Sequence, residues 1–133
     1  MEQNIRNRIK ATIDKVGSGK LILANHELEE IKLDGENLSG ANFNNANLKQ
    51  ANLSDATLHK ASFQTANMEN ARLSNADFTE ADLFRVNLKY ADLSNAKLVK
   101  AYLGSAYLNG TDLSGADLSE ANLHFADLRD AKM

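Results

Sequence analysis

The sequence predicts an all-β, four-sided β-helical solenoid that is preceded by a short N-terminal α-helix. Three patterns favour this fold: a five-residue period that runs unbroken over residues 31–133, paired charges twenty residues apart, and a separate apolar pattern of helical spacing over residues 5–16. The chain has 133 residues with no Cys and no Pro, and its formal net charge is -3. A length of this order favours a single domain.

The N-terminal segment predicts a capping helix followed by a turn, over residues 1–20. Ile5, Ile9, Ile13 and Val16 recur at helical spacing with basic residues between them, which is typical of an amphipathic helix. The Gly-Ser-Gly run at 17–19 ends the pattern, as glycine does after many helices. We expect the helix to cover the first coil. Self-association, contact with a partner and binding at a membrane surface are alternatives, and the last suits a longer, more aromatic helix better.

Residues 31–133 divide into 21 units, of which the last is incomplete. The third place is Leu, Phe or Met in every unit, and the first place is Ala in 17 of them. A period of five fits neither an α-helix, where five residues advance about 500°, nor a flat strand with a side-chain period of two. A short extended segment followed by a turn fits it, because the first and third places then face one axis. The pattern therefore indicates a solenoid whose units bury their core against their neighbours.

Charge spacing indicates four sides. Four units make a coil of 20 residues, so residues n and n+20 should stack about 4.8 Å apart, like neighbouring strands. From residue 31 on, ten such pairs have both members charged, and nine of them are opposite in sign, as in the column of Lys60, Glu80, Lys100 and Glu120. Residues 21–133 then form about five and a half coils. The predicted core ladder includes Leu33, Leu53, Leu73 and Leu93 in one column and Phe43, Phe63, Leu83 and Leu103 in another.

Runs such as ADLSN, ANLSD and ADLSE resemble the A(D/N)LXX motif of the pentapeptide-repeat proteins. The resemblance extends over residues 31–133. It implies a right-handed quadrilateral β-helix in which the central Leu or Phe and the preceding Ala point inward. The four sides follow from the charge spacing above, whereas the handedness is implied by the family alone.

The two ends of the solenoid depart from the pattern. Leu21, His26 and Glu36 stand where Ala is usual, and an ionised Glu36 cannot lie unpaired in a dry core. We therefore expect the corner at Glu36 to splay open. At the other end the units run to Met133 without a polar closing unit, which favours an end-to-end homodimer through the C-terminal coil, residues 111–133, or a place as one module of a longer assembly.

The search for chemistry indicates no enzyme, metal or cofactor site. His26, His59 and His124 are scattered without metal-ligand spacing. The recurrent second-place Asp residues, such as Asp82, are best explained by local bonds to backbone. The mild net charge argues against direct binding of nucleic acid, and the N-terminal sequence lacks the apolar run of a signal peptide or membrane span. The absence of Cys fits a reducing compartment, so we expect a cytoplasmic protein.

Surface composition predicts a contact patch for another protein. Five aromatic residues occupy outward places on two neighbouring walls, in the C-terminal half of the chain: Phe84, Tyr90, Tyr102, Tyr107 and Phe125. One of these walls carries only Asp82 and Arg85 as charges. Grouped aromatics in a charge-poor setting are typical of protein interfaces. The alternative is that these side chains merely cover neighbouring strands.

The sequence therefore favours a non-catalytic scaffold that binds another protein of unknown identity. The family resemblance also implies an alternative, a DNA-mimicking inhibitor or protector of the topoisomerase gyrase. The charge columns argue against it, because they alternate in sign instead of forming the continuous negative surface that imitates phosphates.

Overall fold

The computed structural model describes residues 2–133, so Met1 of the predicted segment 1–20 lies outside it. The helix α1 spans Glu2–Val16 and a short 3-10 helix spans Ser18–Lys20. No helix within residues 2–133 combines the length and apolar character needed to cross a bilayer. From Leu21 onward the backbone alternates single-residue β-bridges with two-residue turns.

Parallel bridges join each coil to the next. Every second-place residue from Ile22 to Asp112 pairs with the residue twenty positions later, from Ile22–Asn42 to Asp112–Lys132. Each β element is one residue long, because a turn follows every bridge. Four turns separate the two partners of a bridge, so the four-sided coil of 20 residues is confirmed. The charge column is confirmed too: Lys60 Nζ lies 3.7 Å from Glu80 Oε2, and Lys100 Nζ lies 3.9 Å from Glu120 Oε2.

The corners are tight turns with a left-handed residue. The first-place amide of each unit donates to the preceding third-place carbonyl, as Ala46 N–H does to Phe43 O at 3.0 Å. Every fifth-place residue from Asn25 to Asp130 has φ between 55° and 73°, although only four of them are glycine. A positive φ at the third residue of a turn is the mark of type II geometry. The repeat therefore places many ordinary side chains in a conformation that glycine or Asn adopts more readily.

Second-place Asp and Asn residues brace these turns. Their side-chain oxygen accepts the fourth-place amide of the same unit, as Asp77 Oδ1 does from Thr79 N–H at 2.9 Å and Asn52 Oδ1 from Ser54 N–H at 3.0 Å. The second-place Ser62 does not accept the fourth-place amide of its own unit, that of Gln64. Instead, the Gln64 amide donates to Oδ1 of Asn44 in the preceding coil at 2.8 Å. The explanation of the recurrent Asp by local backbone bonding is therefore confirmed.

First-place and third-place side chains form one continuous core. All eight residues of the predicted core ladder are at most 1% exposed. The rings of Phe43 and Phe63 are parallel with centroids 4.9 Å apart, and Phe78 meets Phe63 edge-on at 5.7 Å. Each buried Leu or Phe stabilises the fold by roughly 1.5–3 kcal/mol. Thr111 is the buried polar exception, and its hydroxyl donates to Leu88 O at 2.7 Å.

The helix α1 lies against the first coil through one main contact. Ile9 is 3% exposed and belongs to the same buried cluster as the solenoid core, with Ile5 and Ile13 packed against it. The expectation that Val16 shares this face is wrong, since its side chain is 54% exposed. The reason is that α1 ends at Val16 and Gly17, with φ of 86°, turns the chain away from the helix axis.

The first coil is regular at Glu36, contrary to the sequence prediction. The Glu36 amide closes its turn on Leu33 O at 3.2 Å, and Glu36 O accepts the Thr57 amide at 3.0 Å. The side chain is half-buried. Its carboxylate thus keeps contact with solvent without opening the corner, and the predicted splaying is wrong.

Candidate functional site

The outward aromatics lie on two adjoining walls. The first wall contains units 81–85, 101–105 and 121–125, and the second contains units 86–90, 106–110 and 126–130; we call the five aromatic residues on them the aromatic surface. The exposed fraction is 63% for Tyr90, 40% for Tyr102, 48% for Tyr107 and 87% for Phe125, whereas Phe84 is half-buried. The aromatic surface therefore contains both packed and open rings.

Phe84 and Tyr102 form the packed part of the aromatic surface. Their rings are nearly parallel, at 3°, with centroids 5.7 Å apart. The guanidinium carbon of Arg85 lies 5.3 Å from the centroid of the Phe84 ring, within the range of a cation–π contact. Gly104 stands one coil above Phe84, and a Cβ there would come within 2.7 Å of the Tyr102 ring. Because Gly104 has no side chain, the Tyr102 ring can occupy the space above Phe84.

On the second wall, the ring of Tyr90 likewise occupies space that a glycine leaves free. Gly110 stands one coil above Tyr90, and a Cβ at Gly110 would lie 2.6 Å from Tyr90 Cδ1. Nearby, Lys89 Nζ lies 5.5 Å from the centroid of the Tyr107 ring. The cationic groups of Arg85 and Lys89 thus each lie over an aromatic ring of these walls.

Phe125 is the open part of the aromatic surface. Its ring is 87% exposed, and its aromatic neighbour is His124, 5.9 Å away and tilted by 59°. Packing on the wall accounts for Phe84 and Tyr102, as the covering alternative expects. That alternative does not account for Phe125, which leaves most of a large apolar ring in water.

A pair of charged side chains lies on the second wall, in unit 126–130. Arg129 donates from Nε to Asp127 Oδ1 at 2.9 Å and from Nη2 to Asp127 Oδ2 at 2.5 Å. These bonds, together with one from the Asn109 side chain and one from the Arg129 amide, hold the pKa of Asp127 well below its usual range. The pairing raises the pKa of the Arg129 guanidinium. The paired side chains of Asp127 and Arg129 therefore place two opposite charges beside the aromatic surface, with no net charge between them.

The histidines do not assemble a chemical site. His26 Nδ1 lies 2.9 Å from Ala24 O, His59 Nε2 lies 3.9 Å from Glu80 Oε2, and His124 Nδ1 lies 3.0 Å from Asn122 Oδ1. Across residues 2–133, no group of three or more His, Cys, Asp and Glu side chains could hold a metal ion.

The sequence prediction missed Gly104 and Gly110, which shape the aromatic surface. A signal was present in each case. Gly104 follows Phe84 by twenty residues and Gly110 follows Tyr90 by twenty residues, so the stacking rule places each glycine directly above an aromatic residue.

These observations define a class: a four-sided β-solenoid built from stacked five-residue units, with an aromatic outer surface. The family model Pentapeptide repeats matches the chain in 8 copies, over residues 37–75, 61–98 and 96–133. The protein therefore belongs to the pentapeptide-repeat family, and the resemblance seen in the A(D/N)LXX runs is confirmed.

Two solved structures illustrate the similarity of fold. The pentapeptide repeat protein Rfr23 from the cyanobacterium Cyanothece 51142 is 22% identical, with a TM-score of 0.58 over 96% of this chain and 98% of that one. A pentapeptide repeat protein of the Arabidopsis thaliana thylakoid lumen is 25% identical, with a TM-score of 0.58 over 87% of this chain and 76% of that one. Comparison with functionally curated proteins gives no match.

Proposed function

We propose that this protein is a non-catalytic scaffold that binds another protein through the aromatic surface. The observation that carries the proposal is the exposure of Phe125, Tyr90 and Tyr107 on two adjoining walls. Exposed aromatic rings grouped on a rigid support are typical of the centres of protein interfaces. The wall that bears Phe125 carries few charges, so a partner would desolvate few of them on binding.

The paired variant Tyr107→Thr/Phe125→Asn tests this function. Both changes spare the stacked rings of Phe84 and Tyr102, and Asn suits the positive φ at position 125. A matched control is Lys97→Thr/Glu120→Asn, which alters the same second and fifth places on another wall. We expect affinity purification from the native host to recover a partner with the parent protein and the control but to lose it with the paired variant. Recovery of the same proteins by all three would contradict the proposal.

Purification alone does not place the partner on the aromatic surface. A photo-crosslinking residue at position 125, compared with one at position 120, supplies that localisation. We expect the same partner to be crosslinked from position 125 and not from position 120. Crosslinking from position 120 alone would assign the interface to another wall.

The proposal includes an end-to-end homodimer through residues 111–133. Leu118 and Leu123 are only half-buried, and Leu128 and Met133 are 37% and 72% exposed. These are third-place residues, whose counterparts in the inner coils are fully buried. Pairing of two such coils would bury this apolar surface. Light scattering of the purified chain tests it, and a monomer at all concentrations would contradict it.

Two finer features of the fold belong to the same proposal. We infer a right-handed coil, which membership of the family supports. We also infer that α1 caps the first coil, which the burial of Ile9 supports. Ile9→Asp should then lower the thermal midpoint and raise binding of an apolar dye, whereas Lys10→Asp on the exposed face should change neither.

A further inference from the structure

A groove lies between α1 and the first coil, away from the aromatic surface. Its apolar lining includes Ile9, Leu21 and Ile22, and its basic lining consists of Arg8, Lys20 and His26. Ile9 and Leu21 are buried, whereas Ile22 is 69% exposed and stands at the mouth. The groove is therefore apolar at its base and lined by basic groups.

Three departures from the repeat lie in the lining of this groove. Ile22 occupies a second place, and every later second place from Glu27 to Lys132 is polar or Tyr. Leu21 and His26 occupy first places where Ala is usual. The Ile22 side chain is 69% exposed, so it leaves apolar surface in water that the hydrophobic effect would favour burying. Leu21 packs in the buried core cluster with Ile9, so the fold accounts for it. Ile22 and His26 are exposed and have no such role in the core, and a ligand in the groove would account for both.

The charges of the groove are of one sign. Arg8 and Lys20 are cations, and no Asp or Glu belongs to the lining. His26 adds a further hydrogen-bonding group: its Nδ1 donates to the Ala24 carbonyl at 2.9 Å, because a carbonyl oxygen can only accept. Guanidinium and ammonium groups bind carboxylates by charge-assisted hydrogen bonds. The polar end of a ligand is therefore expected to be anionic.

The size of the groove limits the ligand. Its volume is about 330 Å³, at the lower end of the range for small-molecule sites. Since a water molecule takes about 30 Å³ in the liquid, the groove holds about ten non-hydrogen atoms. A straight-chain carboxylate of about eight carbons in all, such as octanoate, has that size.

We propose that this groove binds a small aliphatic carboxylate, with the tail against Ile9, Leu21 and Ile22 and the carboxylate at Arg8 and Lys20. The proposal is independent of the aromatic surface. It makes α1 and the first coil a binding site rather than only an end of the solenoid.

Calorimetric titration of the full chain with octanoate, octan-1-ol and acetate tests the proposal. We expect octanoate to bind once per chain, and octanol and acetate to bind at least about tenfold more weakly, because each lacks the charge or the tail. Ile22→Asn installs the commonest polar type of the second place and should weaken octanoate binding by about tenfold. Arg8→Gln/Lys20→Gln should weaken octanoate binding similarly without affecting octanol. Lys49→Gln, on another wall, is the charge control.

Three of these outcomes would contradict the proposal. Failure of octanoate to bind the parent chain, or equal affinity for the parent and Ile22→Asn, would overturn the site. Equal affinities for octanoate and octanol would overturn the assignment of an anionic ligand. Because Ile22 is exposed, its variant should keep the parent's thermal midpoint; if it does not, the Arg8→Gln/Lys20→Gln comparison still decides.

Discussion

Phe84 and Tyr102 stack with nearly parallel rings on the outer wall, although they belong to different coils and different places of their units. The stacking depends on Gly104, which stands one coil above Phe84 and leaves the space that the Tyr102 ring fills. The wall is thus shaped by a residue that contributes no side chain of its own.

Gly104→Ala should reveal an energetic coupling between Gly104 and Tyr102. The added Cβ would meet the ring at 2.7 Å and displace it, and aromatic pairs of this kind are worth about 0.5–1.5 kcal/mol. In a Tyr102→Thr background the same change should instead stabilise by about 0.4–1 kcal/mol, through the lower entropy of the unfolded chain. Urea unfolding of the four proteins of this cycle measures the difference. Equal effects of Gly104→Ala in both backgrounds would show that the ring does not depend on the gap.

The left-handed fifth places predict two opposite effects on stability. Gln50 and Asn75 are both exposed, with φ of 59° and 61°. Gln50→Asn should raise the free energy of unfolding by about 0.5 kcal/mol, because Asn tolerates this conformation. Asn75→Val should lower it by about 1–2 kcal/mol, since a β-branched residue is strained there. Chemical denaturation measures both, and a change of the same sign in both variants would contradict the account.

The aromatic part of the core should be sensitive to truncation. Phe63 is fully buried and contacts the rings of both Phe43 and Phe78. Phe63→Ala should lower the free energy of unfolding by about 3–5 kcal/mol, whereas Phe63→Leu, which installs the usual third-place residue, should cost about 1 kcal/mol. Denaturant midpoints distinguish the two. A small effect of Phe63→Ala would mean that the column closes around the gap.

The pairing of Asp127 with Arg129 predicts a local dependence on pH. Its bonds hold the pKa of Asp127 below its ordinary value of 3.8, so this carboxylate favours the folded state above that value. The contribution is lost as the pH falls through the lower, folded pKa. Arg129→Gln should raise the pKa of Asp127 toward 3.8, as carbon NMR of the carboxyl would show. Arg85→Gln is the control, and an unchanged pKa in Arg129→Gln would contradict the assigned cause.

The alternating columns predict no effect on gyrase. Lys60 pairs with Glu80 and Lys100 with Glu120 along one column, so positive charge interrupts the negative surface that imitation of DNA requires. We expect supercoiling by purified gyrase, with and without a quinolone, to proceed unchanged in the presence of the protein. Inhibition or protection at stoichiometric protein would favour the DNA-mimicking alternative over the scaffold.

The repeat made the solenoid predictable, because a five-residue frame and charges twenty residues apart each constrain the same stacking. The core ladder from Leu33 to Leu103 followed directly from the third place. Val16 and Glu36 were mispredicted for different reasons. Val16 is the last residue of α1, where the chain turns at Gly17, whereas the backbone bonds of Glu36 keep its corner regular although Ala is replaced. The sequence did not predict Arg8 and Lys20 as residues of the proposed binding groove. The reason is that tertiary contacts, and not the repeat, set the position of α1 against the first coil.

The bridges between residues n and n+20 have a consequence for how such a chain tolerates insertions. A segment of twenty residues added between coils would return every later side chain to its own face, so the protein would simply lengthen. A segment of five would keep the core intact but rotate every later unit by one wall. Inserted between residues 60 and 80 it would separate Lys60 from Glu80, and inserted between residues 84 and 104 it would separate Phe84 from Gly104. Gene rearrangements that preserve the outer surfaces should therefore come in multiples of twenty codons.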